Sequence, residues 1–324
     1  MKKTLGILFV FLAICLMMSI LEPTKFLSPI NIGNLLQRLG IVGLIAVGVS
    51  LVIITGGIDL SVGSVICLTG CGLPWLLVRQ GWPPASALFL LFSCCLIIGF
   101  LHGILITKLR LQPFIVTLCG LLIYRGTMRG LAADQSLGFG SGYDSLRYIA
   151  TGKIPLPFAA LQIPLPFLLL LFVAAFVAFF LRYTVWGQHL LALGSNEEAA
   201  RCCGIRTHRY IIGAYIACTL LAGLAGVLLS MDVNSAQPSD FGNFYELYAI
   251  AAAVLGGCSL RGGRGAVLGV LIGSSLILVI RNMIVLLFPG KNTIEFAVIG
   301  LVILLGVIGD EGINRLFAKK ARLQ

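Results

Sequence analysis

Long apolar runs, separated by short polar stretches rich in glycine and proline, follow one another along almost the whole chain. An apolar run of about 20 residues, folded as a helix, crosses the roughly 30 Å hydrocarbon core of a bilayer. The pattern therefore predicts an all-α, polytopic membrane protein with about ten spans. The predicted spans are Leu5–Leu21, Leu39–Thr55, Leu60–Val78, Ala85–Thr107, Pro113–Leu131, Pro164–Arg182, Tyr210–Ser230, Glu246–Gly257, Ala266–Leu287 and Thr293–Gly309.

The composition supports a single transmembrane domain over residues 1–324. Apolar residues make up 59% of the chain and charged residues 11%, and the mean hydropathy is +1.04. A soluble domain is about a quarter charged, so these charges could not cover a surface in water. The first run follows Lys2 and Lys3, as in a cleavable signal peptide. No small-residue cleavage site follows Leu21, and we therefore expect the run to be retained as a span.

The positive charge is distributed unevenly along the chain. Lys and Arg of membrane proteins accumulate in cytoplasmic segments. With the N-terminus placed inside, the inner segments carry fourteen of the 23 basic residues and the outer segments carry six. The asymmetry predicts that both termini are cytoplasmic. It also accounts for the net charge of +11 without a nucleic-acid partner.

The sequence contains no recognisable catalytic or metal-binding pattern. Most of the ten cysteines lie in or beside apolar runs, and the three histidines are scattered, so we predict no metal site. A phosphate-binding loop needs Gly-x-x-x-x-Gly-Lys followed by Ser or Thr. The two Gly-Lys pairs, Gly152-Lys153 and Gly290-Lys291, are followed by Ile and Asn. We expect no enzyme activity and no cofactor in this chain.

A polar interruption, ITGGIDLSVGSV from Ile54 to Val65, lies between two apolar runs. Gly56 and Gly57 favour the end of one helix. Asp59 or Ser61 can then accept the free N–H groups at the start of the next helix. Ionisable residues within spans also mark functional sites. Capping and contact with a transported solute are compatible, and both interpretations stay open.

The interruption has an echo later in the chain. The pattern Gly-Gly-x-x-Leu-x-x-Gly begins at Gly56 and again at Gly256. Transporters often contain repeated halves. Because the chain has 39 glycines, and the predicted topology gives both copies the same orientation, we favour coincidence over a true repeat.

Three segments together resemble the ribose-type permeases, the membrane subunits of bacterial ABC importers for sugars. They are GGIDLSVGS from Gly56 to Ser64, PFIVTL from Pro113 with YRG from Tyr124, and LGGCSLRGGRG from Leu255 to Gly265. The similarity in order and spacing extends from about residue 31 to residue 309. It implies a broken or re-entrant segment near Gly56–Asp59 and a translocation pathway that includes Gly56, Gly57, Asp59, Ser61, Thr117 and Asn282.

The resemblance also implies function and partners. Two permease chains, identical or related, would form a pore in the inner membrane. Separate ATPase subunits would bind ATP and Mg²⁺, and a periplasmic binding protein would deliver a monosaccharide such as a pentose or hexose. A nucleoside or a furanose-like signalling molecule is the alternative substrate within the class. An ion-coupled secondary transporter is the alternative class, with Asp59, Glu246 and Glu295 as its few candidate coupling acids.

The inner connection from residue 183 to residue 209 contains EAARCCG from Glu198, which resembles the loop that docks importer permeases on their ATPases. Ser195 or Asn196 can cap a short helix, and acids suit its first turn. Small alanines allow close approach by a partner, Arg201 can pair with an acid across the interface, and a glycine can end the helix. The predicted coupling residues are Asn196, Glu197, Glu198, Ala199, Ala200, Arg201 and Gly204.

Two arginines near the outer end of the fifth predicted span, Arg125 and Arg129, share one helix face. Long basic side chains commonly extend to lipid headgroups, and we expect this for both. Contact with the periplasmic partner is the alternative.

Overall fold

The computed structural model describes residues 2–155, 161–290, 295–302 and 304. Most of these residues are helical. The helices are α1 (Lys2–Leu21), α2 (Pro23–Phe26), α3 (Pro29–Ile54), α4 (Val62–Pro74), α5 (Pro84–Thr107), α6 (Pro113–Ala132), α7 (Asp144–Thr151), α8 (Leu165–Tyr183), α9 (Val185–Ser195), α10 (Glu197–Cys202), α11 (Thr207–Val233), α12 (Tyr245–Leu255) and α13 (Val267–Leu287). Two short strands, β1 (Lys153–Pro155) and β2 (Gln162–Pro164), form an antiparallel hairpin in the connection from α7 to α8.

Seven helices in the described part of the chain are long and apolar enough to cross a membrane: α3, α4 with the π-helical turn Trp75–Arg79, α5, α6, α8, α11 and α13. The apolar part of α1, Leu5–Leu21, and helix α12 are shorter. The prediction of a polytopic helical membrane protein is confirmed, whereas the number ten stays a prediction. The last predicted span, Thr293–Gly309, lies partly outside the described residues.

Proline marks several helix starts. Pro29, Pro84 and Pro113 begin α3, α5 and α6, where the fixed φ of proline suits the first helical turn. At the start of α3 the Ser28 hydroxyl also accepts a hydrogen bond from the Asn31 N–H at 3.2 Å. Pro74 instead lies at the end of α4, where its missing N–H interrupts the α-helical ladder before the π-helical turn.

Helices α3, α4 and α11 form the centre of the bundle, and α5, α6 and α8 surround it. In an 18-residue stretch of α3, 83% of the residues are buried, compared with 22% in a stretch of the same length in α6. Glycines allow α5 to pack directly on the α11 backbone: a Cβ atom on Gly99 or Gly103 would lie 2.6 Å from the Cα of Ile216 or Ile212, respectively. The outward faces of the surrounding helices carry large apolar side chains such as Phe89 and Phe172, as expected for contact with lipid.

The chain between α11 and α12 runs back along α4. A Cβ atom on Gly70 would lie 2.2 Å from the Phe241 ring, and one on Gly63 would lie 2.5 Å from the Gly242 carbonyl oxygen. Helix α12 has 11 residues, about 16 Å at 1.5 Å per residue, and cannot cross a bilayer alone. This segment is therefore interrupted, in agreement with the short eighth predicted span.

Candidate translocation and coupling sites

The interruption after α3 is a closed turn. The N–H of Gly56 donates to Ile53 O at 2.9 Å and that of Gly57 donates to Val52 O at 3.2 Å. Gly56 has a φ of +83°, which favours glycine, and it ends the helix as predicted. Gly57 lies against α11, where a Cβ atom would be 2.6 Å from the Tyr215 hydroxyl oxygen. The two glycines thus serve different purposes, one conformational and one steric.

Asp59 stabilises the start of α4. Its side chain is fully buried, and its Oδ1 accepts hydrogen bonds from the Ser61 N–H at 2.9 Å and the Ser61 hydroxyl at 2.6 Å. The Ser61 side chain accepts no bond from the helix. Of the two predicted caps, Asp59 therefore fills the role. The second oxygen of Asp59 has no hydrogen-bond partner within the described residues.

Side chains of α6 and α11 lie at the Ile58 carbonyl group, and a histidine of α5 packs beside them. The Thr117 hydroxyl oxygen of α6 lies 3.3 Å from Ile58 O, and the Tyr215 hydroxyl donates to the same oxygen at 3.4 Å. His102 of α5 is 2% exposed, and its Nε2 lies 2.8 Å from the Tyr124 hydroxyl oxygen. The edge-on rings of His102 and Tyr215 are 6.2 Å apart between centroids. The structure therefore places Thr117 beside the interruption that contains the other predicted pathway residues Gly56, Gly57, Asp59 and Ser61.

Sequence reasoning missed His102, Tyr124 and Tyr215 as members of this cluster. Each is a polar side chain inside an apolar helix, and this is the only feature of the sequence that could have pointed to them. Nothing in the local pattern shows that the three side chains face one loop, since the residues lie on α5, α6 and α11.

Asn282 lies elsewhere. Its side-chain amide donates to Asn31 Oδ1 at 2.7 Å, and the Asn31 amide donates back to Asn282 Oδ1 at 3.2 Å. Asn31 is in the first turn of α3, about 35 Å along the helix from Ile54 at 1.5 Å per residue. The structure therefore does not bring Asn282 to the interruption, and a role for it in the pathway stays a prediction.

The prediction that Arg125 extends to headgroups is wrong. Its guanidinium lies 3.2 to 3.4 Å from four carbonyl oxygens, those of Gly63, Pro238, Ser239 and Phe241. These bonds tie the chain that precedes α12 to α4 and α6, because five guanidinium donors can satisfy several acceptors at once.

Arg129, one turn further along α6, is exposed and pairs with Asp134. Its Nε donates to the two carboxylate oxygens at 2.8 and 3.0 Å. The hydrogen bond and the positive charge lower the pKa of the Asp134 carboxyl group. This pair is a surface feature, and its exposure distinguishes Arg129 from Arg125.

The predicted coupling helix is present as α10. Asn196 caps it, since its Oδ1 accepts the Ala199 N–H at 2.9 Å, whereas the Ser195 hydroxyl donates to Leu191 O. Gly204 follows the helix with a φ of +82°. Arg201 pairs with Glu197 at 2.7 Å within the same helix, rather than projecting alone toward a partner.

The two alanines of the coupling helix have different environments. Ala199 is exposed, and so is Glu198, whereas Ala200 is 6% exposed and packs against the rest of the chain. Only Ala199 is therefore available to allow the close approach of a partner. Beside the helix lies an open cleft of about 410 Å³, lined mainly by polar and basic residues. The basic groups of the cleft are Lys108, Arg110, Arg201, Arg206 and His208.

Comparison with known proteins places this arrangement in a family. Residues 31–307 match the family described as branched-chain amino acid transport system / permease component. The chain belongs to this family. The matched region spans the interruption, α10 and Asn282.

Relatives of the permease include several sugar permeases. It is 38% identical to the ribose import permease protein RbsC of Bacillus subtilis over 91% of this chain and 88% of that protein. It is 30% identical to the fructose import permease protein FrcC of Rhizobium meliloti over 91% of this chain and 81% of that protein. It is 32% identical to the galactofuranose transporter permease protein YtfT of Escherichia coli over 86% of this chain and 79% of that protein. The similarity confirms the recognition of a ribose-type permease.

Proposed function

We propose that the chain is the membrane-spanning permease subunit of an ABC importer and moves a monosaccharide, a pentose or a hexose, across the inner membrane. The observation that carries this proposal is the similarity to the ribose import permease over 91% of the chain. The fructose and galactofuranose relatives support a sugar more than a nucleoside. The signalling-molecule alternative stays open, because galactofuranose is itself a furanose.

An ion-coupled transporter is less well supported by the buried acids. Asp59 is occupied by the Ser61 hydrogen bonds, and Glu295 pairs with Arg281 at 3.2 Å. Each of these carboxylates therefore has a local structural role. Glu246 lies against Gly63, close to the guanidinium of Arg125.

The proposed assembly contains two permease chains, two ATPase domains carried on one or more ATPase subunits, and a periplasmic binding protein. We propose ten spans with both termini in the cytoplasm. The coupling helix and the basic cleft then lie on the cytoplasmic side, where their charge fits acidic groups of an ATPase. ATP and Mg²⁺ would be bound by the ATPase, and this chain would hold no cofactor and perform no covalent chemistry.

The proposed mechanism is alternating access. Closure of the ATPases on ATP would displace α10, and the helices around the interruption would then rock relative to one another. In the structure the loop at Asp59 is enclosed by side chains of α5, α6 and α11. Opening of the pathway there would require these contacts to separate. We infer that Asp59 orders the loop, and that contact with the sugar is confined to conformations in which the loop has moved.

Co-purification tests the assignment directly. The chain would be expressed with the ATPase and binding protein encoded beside it, and hydrolysis of ATP would be measured in liposomes. We expect the ATPase to co-purify and the binding protein loaded with D-ribose or D-fructose to stimulate hydrolysis. A chain that purifies alone and moves a sugar down an ion gradient would contradict the proposal.

Substitution of the exposed alanine on the coupling helix should block docking. We expect Ala199→Trp to weaken binding of the ATPase by about 5- to 150-fold and so to reduce the co-purified amount, because a bulky side chain on a closely packed interface costs on the order of 1–3 kcal/mol. The measurement is the ratio of ATPase to permease after affinity purification.

A matched variant makes this test specific. Ala85 is also exposed on a helix, in the first turn of α5, at the end predicted to lie outside. Ala85→Trp should leave the ratio of ATPase to permease unchanged. Equal losses in the two variants would show that the tryptophan acts through folding rather than docking.

A further inference from the structure

Three backbone segments meet beside the coupling helix. They are the end of α3 with the first turn residues (Ile54–Gly56), the end of α9 (Gly194–Ser195) and part of the loop between α12 and α13 (Gly262–Gly263). The Gly263 N–H donates to Ile54 O at 2.8 Å. We call this contact the glycine junction.

The junction has no room for side chains. A Cβ atom on Gly194 would lie 1.8 Å from Ile54 O and 2.5 Å from Gly263 N. A Cβ atom on Gly262 would lie 2.5 Å from Gly194 O and 2.9 Å from Gly56 N. These obstacles are backbone atoms, which cannot rotate away as a side chain can. Glycine permits this approach because it has no Cβ.

The junction joins the two candidate sites through short lengths of chain. Gly194 and Ser195 directly precede Asn196, the cap of the coupling helix. Ile54 ends α3 and directly precedes the turn that leads to Asp59. Close-packed groups transmit displacement because they compress little. A movement of α10 would therefore reach the interruption through backbone contact.

The third segment, Gly262–Gly263, is the end of the second copy of the Gly-Gly-x-x-Leu-x-x-Gly pattern. Gly263 is the last glycine of that copy, and Gly56 is the first glycine of the earlier one. The structure thus brings the end of the second copy into contact with the first glycine of the earlier copy. The contact also links α13 to the coupling helix.

We propose that the glycine junction transmits movement of the coupling helix to the interruption at Gly56–Asp59, with Gly194, Gly262 and Gly263 as positioning residues. The inference rests on the proposed function. It predicts that a small obstacle at the junction separates hydrolysis of ATP from transport without preventing the ATPase from docking, since the exposed face of α10 is unchanged.

Alanine substitutions with matched controls test the proposal. Gly194→Ala introduces an obstacle against backbone atoms. Gly265→Ala, two residues after Gly263, obstructs the junction residue Ile54 more mildly, because its Cβ would meet only the side chains of Ile54, at 2.8 Å, and Cys258, at 3.1 Å. Gly213→Ala is the control, since Gly213 is also helical and has nothing within 4 Å of its added Cβ. The transporter is assembled in liposomes, and the number of sugar molecules transported per ATP hydrolysed is measured. The sugar is radiolabelled D-ribose, or D-fructose if the wild type transports only D-fructose.

We expect the amount of sugar transported per ATP hydrolysed to fall at least about tenfold in Gly194→Ala and about threefold in Gly265→Ala. Coupling between two sites in a protein typically changes an equilibrium by about 5- to 150-fold. The amount of bound ATPase should stay within about twofold of wild type in both variants, as for substitutions outside a docking surface. Gly213→Ala should match wild type in both measurements. If Gly194→Ala yields no folded protein, Gly265→Ala decides the result.

An unchanged ratio in a folded junction variant would overturn the proposal. A loss of bound ATPase with an unchanged ratio would overturn it too, since the junction would then be only a support for the docking surface. Failure of the proposed function is distinguishable, because the wild-type chain itself would then assemble with no ATPase. In that case the inference about the junction fails with it.

Discussion

Replacing Asp59 with alanine is expected to reduce sugar uptake by about 100-fold. The substitution leaves the buried N–H and hydroxyl of Ser61 without their acceptor. An unsatisfied buried donor costs about 1–3 kcal/mol, and a combined cost near 3 kcal/mol corresponds to about 100-fold in the population of the ordered loop. Uptake of radiolabelled D-ribose, or of D-fructose if that is the sugar transported, by proteoliposomes measures the effect. The amount of monodisperse protein in detergent measures folding separately.

Asp59→Asn is the matched control for that experiment. Its side-chain carbonyl oxygen can take the place of Oδ1 and accept the same two bonds, so we expect it to retain most of the uptake. If the asparagine variant loses as much as the alanine variant, the charge itself is needed, and capping is an incomplete account of Asp59. Full activity in Asp59→Ala would contradict the inferred role of the interruption.

Replacing Arg125 with leucine should have the largest effect on stability. The guanidinium donates to carbonyl oxygens of Gly63 and of the chain that precedes α12. Glu246, which is 9% exposed, lies against the same Gly63. Arg125 is half-buried, and loss of hydrogen bonds from a charged group typically costs about 1.5–3 kcal/mol, because the carbonyl oxygens lose their donor. Thermal unfolding in detergent and the yield from membranes measure the loss.

Arg129 provides a control on the same helix. Arg129→Leu should leave the unfolding temperature close to that of wild type, because its pair with Asp134 is exposed to solvent. Addition of Glu246→Gln to Arg125→Leu should recover part of the loss if the uncompensated carboxylate contributes to it. Similar unfolding temperatures for the Arg125 and Arg129 variants would contradict the structural role assigned to Arg125.

Local features of the sequence predicted the elements well. Apolar runs located the long helices, the pair Gly56-Gly57 marked the end of α3, and Asn196 marked the start of α10. Each of these depends on residues within a few positions of one another. Hydrophobic length, backbone freedom and capping act over one or two turns and can therefore be read without knowledge of the fold.

Predictions about the surroundings of a side chain were less successful. Arg125 was expected at headgroups and binds carbonyl groups. The pair of Arg201 with Glu197 was not foreseen, and contact of Arg201 with a partner stays a prediction. Ala199 and Ala200 were treated alike, although only Ala199 is exposed. In each case the missing information was which side of a short element faces the rest of the permease.

The sequence by itself determined that this protein is a helical membrane protein with an interrupted segment and a short capped helix, α10, because these features follow from composition and local backbone chemistry. The permease family followed from the resemblance of its motifs. Only the tertiary structure decided what surrounds Asp59, where Asn282 binds and which backbones meet at Gly194. Those contacts join residues far apart in sequence: Thr117 and Tyr215 reach Ile58 from 59 and 157 positions away, and Asn282 reaches Asn31 across 251. Contacts at such separations are set by how helices pack, and the pattern within each helix does not specify its neighbours.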